Sequence, residues 1–372
     1  MKFSCEKALL QSAIGVTGRA VAAKTSVPAL EGILLEAEDG LRLTGYNLQI
    51  GIRTTIPADV QKPGRLVLSA RLVGELARRL SDDVVTFSTE GLMVHITCGR
   101  SKFNLLGIDP EDFTELPNVS YEQELSMEQG KLKSMISETL FAVSSSTQDN
   151  RPIHTGSLFE IEEKTLTMVS LDGYRLALRR EEILHKKSQE NFSFVVPGAA
   201  LSEVEKICGD TDDFAVITQG PLHVMFQIGE TVLITRRLEG EFLNYKQSIP
   251  RQNSISVVGE TRSLIASIER ASLILSDKLK NPLHCIFGHN VLDITSKAAI
   301  GDAADECPIE GDGGELEIGF DNRYLSDALK AAPADKVRLE LNSSVSPCVI
   351  LPTEGEERFL YLVLPVRLKA GD

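Results

Sequence analysis

The apolar positions of this chain fall into one pattern written three times. The stretches Ala70 to Leu80, Ala199 to Cys208 and Asn322 to Ala332 place apolar residues on a single helical face: Val73, Leu76 and Leu80; Leu201, Val204 and Cys208; Leu325, Ala328 and Ala332. Before each helix comes a short apolar run (Arg65 to Leu68, Phe192 to Val196, Leu316 to Phe320). After each comes a turn carrying Asp83, Asp212 and Asp213, or Asp335, and then a strand-like run. Earlier in each copy lies another amphipathic stretch, Lys7 to Val16, Lys131 to Val143 and Arg262 to Leu275, which predicts a second helix.

The copies also keep register. Pro28, Gly32, Leu34 and Glu36 recur about 124 residues on as Pro152, Gly156, Leu158 and Glu160, and the third copy keeps Pro282. That period is long enough for a domain. Short strands bounded by Gly, Asp and Asn predict antiparallel sheets, so the expected class is α+β: three repeated domains, each with two helices packed on antiparallel sheets. Proline-marked links at Pro117 and Pro250 set expected domains at 1–120, 126–248 and 251–372. Tandem repeats of this size favour an extended or curved surface over one catalytic pocket.

Composition narrows the function. The 372 residues carry 39 Lys+Arg against 53 Asp+Glu, a formal net charge of −14, which disfavours a protein that coats DNA by bulk attraction but leaves room for a locally basic surface. No apolar run approaches the roughly 20 residues that span a bilayer, and Met1-Lys2-Phe3 opens without a signal-peptide core, so a cytoplasmic protein is expected. The six cysteines form no Cys-x-x-Cys pair and no cluster at metal spacing; reduced, buried thiols are expected, with no metal and no cofactor.

Catalytic motifs are missing. The sequence has no phosphate-binding Gly-x-x-x-x-Gly-Lys-Ser/Thr loop, no dinucleotide fingerprint, no His-Glu-x-x-His and no Gly-x-Ser-x-Gly elbow. Gly311 to Gly314 is followed by a strand-like run, which predicts a turn. An enzyme with its active site between repeats is the runner-up reading, and a protein-binding repeat scaffold the third. Basic residues recur in equivalent elements: Arg71, Arg78 and Arg79; Lys131 and Lys133; Arg262 and Arg270; and, in the links after the first helices, Lys24, Arg151, Lys278 and Lys280. Such groups give salt-sensitive attraction to a phosphate backbone without reading its sequence.

Two apolar features look outward. Leu273 and Ile274 leave the stripe formed by Leu264, Ile265, Ile268, Ala271 and Leu275; either that helix ends early or they meet another subunit. The strand-like run from Arg100 to Leu106 puts Phe103 and Leu105 on one face and Arg100 and Lys102 on the other. Pairing of the first repeat with the third, head to tail, would close two chains into a dimeric ring.

The runs Ser170-Leu171-Asp172-Gly173-Tyr174-Arg175-Leu176-Ala177, Glu239-Gly240-Glu241-Phe242-Leu243-Asn244-Tyr245 and Leu362-Val363-Leu364-Pro365-Val366-Arg367-Leu368, together with the triplication, resemble the bacterial DNA polymerase III beta subunit, the sliding clamp, over the whole chain. The resemblance implies a non-enzymatic processivity factor: a ring-shaped homodimer that encircles duplex DNA without sequence readout, is loaded by a separate clamp loader, and tethers the replicative polymerase and other proteins through short peptides. It implies a peptide pocket from His154, Leu171, Gly173, Tyr174, Arg175, Leu176, Leu243, Gln247, Ser248, Pro347, Leu362, Val363, Leu364, Pro365, Val366 and Arg367, with Arg175 and Arg367 as donors at its rim. Leu171 stands where many relatives carry Thr, and Leu243 where many carry Pro, so the peptide preference is this chain's own. For DNA the matching positions are Lys24, Arg71, Gln148 and Arg151, with Lys278 and Lys280 by location. For the dimer seam they set Phe103 and Leu105 against Ile274 and Leu275, near Leu273, with Arg100 and Lys102 facing Asp302, Asp305 and Glu306.

Overall fold

The computed structural model describes residues 1–81, 83–144, 151–187, 190–275, 281–355 and 358–368. The first repeat contains β1 (Lys2–Glu6), α1 (Lys7–Thr17), β2 (Gly32–Ala37), β3 (Leu41–Tyr46), β4 (Ile50–Ile56), β5 (Asp59–Lys62), β6 (Gly64–Ser69), α2 (Ala70–Arg79), β7 (Val84–Glu90), β8 (Met93–Cys98) and β9 (Ser101–Leu106). The second contains β10 (Gln123–Glu128), α3 (Gln129–Thr139), β11 (Gly156–Glu162), β12 (Thr165–Leu171), β13 (Arg175–Glu182), β14 (His185–Lys186), β15 (Phe192–Pro197), α4 (Gly198–Ile207), β16 (Phe214–Gln219), β17 (His223–Ile228) and β18 (Thr231–Arg236). The third contains β19 (Ile255–Glu260), α5 (Thr261–Ala271), β20 (Leu283–Ala298), β21 (Gly301–Phe320), α6 (Asn322–Ala331), β22 (Lys336–Leu341), β23 (Cys348–Pro352) and β24 (Phe359–Val363). The element order, two helices among antiparallel strands three times over, is the expected α+β pattern.

The chain divides into two compact units, 1–133 with 184–188 and 203–237, and 134–183 with 189–202 and 238–372. In the first unit β5-β1-β7-β8-β9 make a five-stranded sheet, and β14-β10-β16-β17-β18-β4-β3-β2-β6 a nine-stranded one. In the second, β15-β11-β12-β13-β24-β23-β22-β19-β21-β20 form a ten-stranded sheet. The repeats therefore share sheets. β18 of the second repeat pairs with β4 of the first, Leu233 opposite Ile52, and β13 of the second pairs with β24 of the third, Ala177 opposite Tyr361. Both seams are backbone ladders, in which the two strands satisfy one another's amides and carbonyls.

Each repeat is closed by the same hydrogen bonds. The amide of the first residue of the first helix donates to the carbonyl of the acidic turn: Lys7 to Asp83 at 2.7 Å, Gln129 to Asp213 at 2.8 Å and Thr261 to Asp335 at 2.8 Å. Glu6 and Glu260 precede their helices without capping them through a side chain, so this carbonyl takes over one orphan donor. The side chain of that first residue also reaches the end of the second helix: Lys7 Nζ donates to the Leu80 carbonyl, Gln129 Oε1 accepts from the Gly209 amide at 3.0 Å, and Thr261 Oγ1 donates to the Ala334 carbonyl at 2.6 Å. At the far end a hydroxyl bonds one turn back, Thr17 to Ala13, Thr139 to Met135 and Ser272 to Ile268. The third of these marks where α5 stops. The helix ends at Ala271 rather than continuing to Leu275, which decides one of the two readings of Leu273 and Ile274: they follow the helix.

The apolar stripes do point inward. Val73, Leu76 and Ala77 of α2 pack with Leu10, Ala13 and Ile14 of α1 over Phe3, Leu35, Leu43 and Phe87, and Leu264, Ile268 and Ala271 of α5 pack with Leu325, Ala328 and Leu329 of α6. Gly311 and Gly314, with φ of 122° and 62°, lie within β21 where its register against β20 shifts, so the expected turn is an irregularity inside a strand ribbon. All six cysteines are free and buried. Among the described residues no helix is long and apolar enough to cross a membrane, and no group of His, Cys, Asp and Glu is placed to hold a metal ion.

Candidate functional site

The hairpin between β12 and β13 is the centre of the site. Asp172 Oδ1 accepts from the Tyr174 amide at 3.0 Å and the Arg175 amide at 3.1 Å, an Asx turn that needs a left-handed residue between, supplied by Gly173 at φ 88°. Beneath it Leu171, Leu176 and Leu362 form an apolar floor with Ile153, Leu178, Val195 and Tyr245. The Leu364 amide donates to the Tyr174 carbonyl at 2.8 Å, and the Val366 amide to the Gly319 carbonyl at 2.8 Å, so the segment after β24 is tied to the hairpin and then to β21. Tyr174 is 59% exposed, Leu243 42% and Leu364 36%, an unusual concentration of apolar surface around one floor.

His154, Gly173, Tyr174 and Arg175 line one cavity of about 1230 Å³, with Arg151, Tyr324 and Asp327 on its other walls. His154 and Leu243 line a neighbouring groove of about 430 Å³ with Phe242, whose ring meets His154 edge-on at 6.0 Å. The expected pocket residues thus divide. Leu171, Leu176 and Leu362 are buried as floor, whereas Val363 is buried in the core of the third repeat. Gln247, Ser248, Arg367 and Leu364 are exposed, and Pro347, Pro365 and Val366 half-buried, outside both cavities.

Arg175 departs from its expected role as a rim donor. Its side chain is only 9% exposed, and its guanidinium is held from two sides: Nε on Asp172 Oδ2 at 3.0 Å, Nη1 on Asp327 Oδ2 at 2.6 Å, and its carbon 4.7 Å from the Tyr324 ring centre and 5.4 Å from that of Phe141. Two carboxylates already occupy its Nε and Nη1 donors, and two aromatic rings pack against it, so most of its charge is met within the chain. Tyr324 and Asp327, three apart on α6, were not anticipated. The signal was there: both lie off the stripe of Leu325, Ala328 and Ala332, yet only the fold shows what they meet.

The expected seam is partly rearranged too. β9 is the last strand of its sheet, with Lys102, Phe103, Asn104 and Leu106 exposed and Leu105 turned toward the core. β20 is the last strand of the ten-stranded sheet. In β21, Asp302 and Glu306 point outward, but Asp305 lies on the opposite face and is bound by Arg270 of α5. That contact holds the Asp305 carboxyl below its usual range, so Asp305 does not belong with Asp302 and Glu306 as an acceptor for Arg100 or Lys102. Leu273 is 81% exposed, whereas Ile274 and Leu275 are half-buried and Leu275 packs on the core of the third repeat.

Among the groups expected to face DNA, Lys24 and Arg151 are exposed, and Arg71 is 3.5 Å from Glu75 with most of its surface free. Lys131 is paired with Glu128 and Lys133 with Asp210. Gln148, Lys278 and Lys280 lie outside the described residues.

A triplicated α+β architecture with sheets shared across repeats, open strand edges and a surface groove defines a repeat protein that works by association. The comparisons place it further. Residues 1–117, 126–244 and 246–367 match the N-terminal, central and C-terminal domains of the DNA polymerase III beta subunit. A beta sliding clamp from Staphylococcus aureus is 31% identical over 379 residues, covering 99% of each chain. A putative DNA polymerase III beta subunit from Eubacterium rectale superposes with a TM-score of 0.92 at 31% identity, covering 99% of this chain and 100% of that one. A sliding clamp from Pseudomonas aeruginosa bound to griselimycin superposes with a TM-score of 0.93 at 27% identity, with the same coverage. The chain belongs to the DNA polymerase III beta subunit family. It is a sliding clamp, a processivity factor rather than an enzyme, and the reading of an active site between repeats falls away.

Proposed function

We propose that two copies of this chain close head to tail into a ring around duplex DNA, and that the exposed apolar surface around Tyr174 and Leu364 receives short apolar peptides of the replicative polymerase, the clamp loader and other partners. The domains of the ring would be 1–120, 126–248 and 251–372. The observation that carries the ring is the open edge of β9, with Phe103 38% and Leu106 72% exposed. A strand edge of this kind invites another strand, and β20 is the open edge of the third repeat. A head-to-tail contact between unlike edges closes into a ring when the rotation permits. Across that seam Lys102 would face Asp302 and Glu306.

Enclosure rather than affinity would hold the DNA. Lys24, Arg71 and Arg151, with Gln148, Lys278 and Lys280, would supply phosphate contacts too few for tight binding and without base readout, which permits sliding. With a clamp loader present, the protein should stay on circular DNA and be lost from the free ends of linear DNA; equal retention on both overturns the ring. Lys102→Glu should weaken the dimer at low salt, and adding Glu306→Lys should restore it. A dimer indifferent to both changes removes this pairing from the seam.

A further inference from the structure

We propose that a polar cavity at the seam between the first and second repeats is an oxyanion site that takes a phosphate group, with the guanidiniums of Arg42 and Arg53 as its ligands. The cavity, of about 240 Å³, is walled by Arg42, Arg53 and Thr55 of the first repeat and by Gln227, Glu230 and Val232 of the second. It involves neither the strand edges of the ring nor the surface around Tyr174.

Strand pairing brings these residues to one face of the nine-stranded sheet. Arg42 lies opposite Thr55, Arg53 opposite Val232, and Val232 opposite Gln227, and directly opposed residues share a face. The other face of β3 carries Leu41 and Leu43, which pack into the core with α1. The two arginines therefore stand on the side of the sheet turned away from α1, and they belong to neither the helix cations nor the link cations that the DNA reading uses.

The second seam shows that the fold does not require them. The hairpins β3–β4 and β12–β13 make the same turn: the side-chain oxygens of Asn47 and Asp172 accept from the amides two and three residues on, and Leu48 at φ 72° takes the place of Gly173. Counting back from these turns, Thr44 opposite Arg53 corresponds to Val169 opposite Leu178. Across the seams Arg53 meets Val232, and Leu178 meets Leu360. Leu178 is buried in an apolar cluster with Leu158 and Val169. A leucine completes this ladder position, so an arginine there gives up hydration that the strand pairing does not ask for.

Little within the chain offsets that cost. Arg53 is half-buried and has no ion-pair partner among the described residues. Arg42 comes no nearer than 3.9 Å to Glu36, whose other oxygen is held by Arg65 at 3.0 Å. Glu230 is exposed and pairs with neither arginine. Two guanidiniums thus share one cavity with a single unpaired carboxylate, beside the Thr55 hydroxyl and the Gln227 amide as further donors. Guanidinium forks match the oxygens of a phosphate group and bind it through charge-assisted hydrogen bonds. The volume lies below the roughly 300–1,000 Å³ of pockets that enclose drug-sized molecules, which suits a free phosphate ion or the end of a small phosphate ester.

The test is titration calorimetry of the full-length protein with inorganic phosphate at neutral pH, ionic strength being held constant with chloride. Phosphate should bind with a dissociation constant of about 1 mM or tighter. Arg53→Leu, which installs the second repeat's own residue, and Arg42→Gln should each weaken binding roughly tenfold. Glu230→Gln removes the opposing charge and should tighten binding about threefold, a gain that a damaged fold does not imitate. Arg262→Gln, on α5, should change nothing. O-Phosphoserine and glycerol phosphate distinguish the sources: binding of the esters assigns the site to an ester end, binding of inorganic phosphate alone assigns it to the free ion, and either result supports the site. Absence of saturable binding by all three compounds overturns it. So does phosphate affinity that survives loss of both arginines, or that falls as far in Arg262→Gln as in Arg53→Leu.

Discussion

Arg179→Met would remove the largest fully buried side chain among the described residues. The Arg179 guanidinium sits where β13 meets β24. Nε donates to Glu138 Oε2 at 2.6 Å, Nη1 to the carbonyls of Arg180 at 2.8 Å and Arg358 at 3.0 Å, and Nη2 to Glu181 Oε1 at 2.5 Å. The Glu138 side chain is 9% exposed. Removing only the cation strands the buried Glu138 carboxylate, while the Arg358 carbonyl keeps the Arg180 amide at 3.0 Å, a loss of about 3–5 kcal/mol. At about 1.4 kcal/mol per decade this speeds hydrogen exchange of the β13 and β24 amides by about two to three and a half decades wherever they exchange through opening of this seam. Because burial already pushes the Glu138 carboxyl above its ordinary value despite Arg179, losing Arg179 pushes it further. A carboxyl raised on folding favours the folded state below its unfolded value and loses that advantage as pH rises through the folded one. The defect of Arg179→Met should therefore be largest at neutral pH and shrink on acidification toward the ordinary glutamate range. Adding Glu138→Leu removes the stranded charge and should recover much of the loss. Hydrogen exchange by mass spectrometry, followed from neutral toward mildly acidic pH, measures all three proteins. Unchanged exchange in the single variant, or a double variant no slower than the single, refutes this account of the seam.

The buried thiols should be inert in the native protein: burial pushes Cys5, Cys208 and Cys285 up to about 12, so at pH 8 only about one in ten thousand of each is thiolate. Rapid native-state alkylation of these residues, read by mass spectrometry, contradicts it. Leu48→Gly should be neutral or stabilising by up to about 1 kcal/mol in chemical denaturation, since it relieves a left-handed leucine that is 55% exposed; a clear loss would show that the side chain holds the hairpin.

The repeated helices were legible because each is a local amphipathic pattern, and Ala70–Arg79 and Asn322–Ala331 fall within a residue of where the stripes end. The end of α5 was not, because the Leu275 side chain packs on the core from beyond the helix and extends the apolar count. Sequence position could have separated Asp305 from Asp302 and Glu306, since strand alternation puts odd and even residues on opposite faces. The engagement of Arg175 could not be read that way. Asp327 is 152 positions distant, and whether a guanidinium is free or spent depends on which chain returns to meet it. For the same reason the shared sheets stayed hidden: nothing local in Ile50–Ile56 shows that its neighbour is Thr231–Arg236.

The same distinction between free and spent charge bears on how a molecule of net charge −14 holds DNA. Counting cations on the helices overstates the attraction, because Lys131, Lys133 and Arg270 are each bound to an internal carboxylate and Lys7 to a carbonyl. Among the described residues, Lys24, Arg78, Arg151 and Arg262 are exposed basic groups with no ion-pair partner. Each phosphate neutralised adds a little under one unit to the slope of binding against salt, so a handful of free cations per chain gives weak and steeply salt-dependent attraction. For a protein that must bind one lattice tightly this would be a deficiency. For the closed ring proposed above it would be the useful regime: joining the β9 and β20 edges would prevent escape, and each phosphate contact could be exchanged for the next without a large barrier.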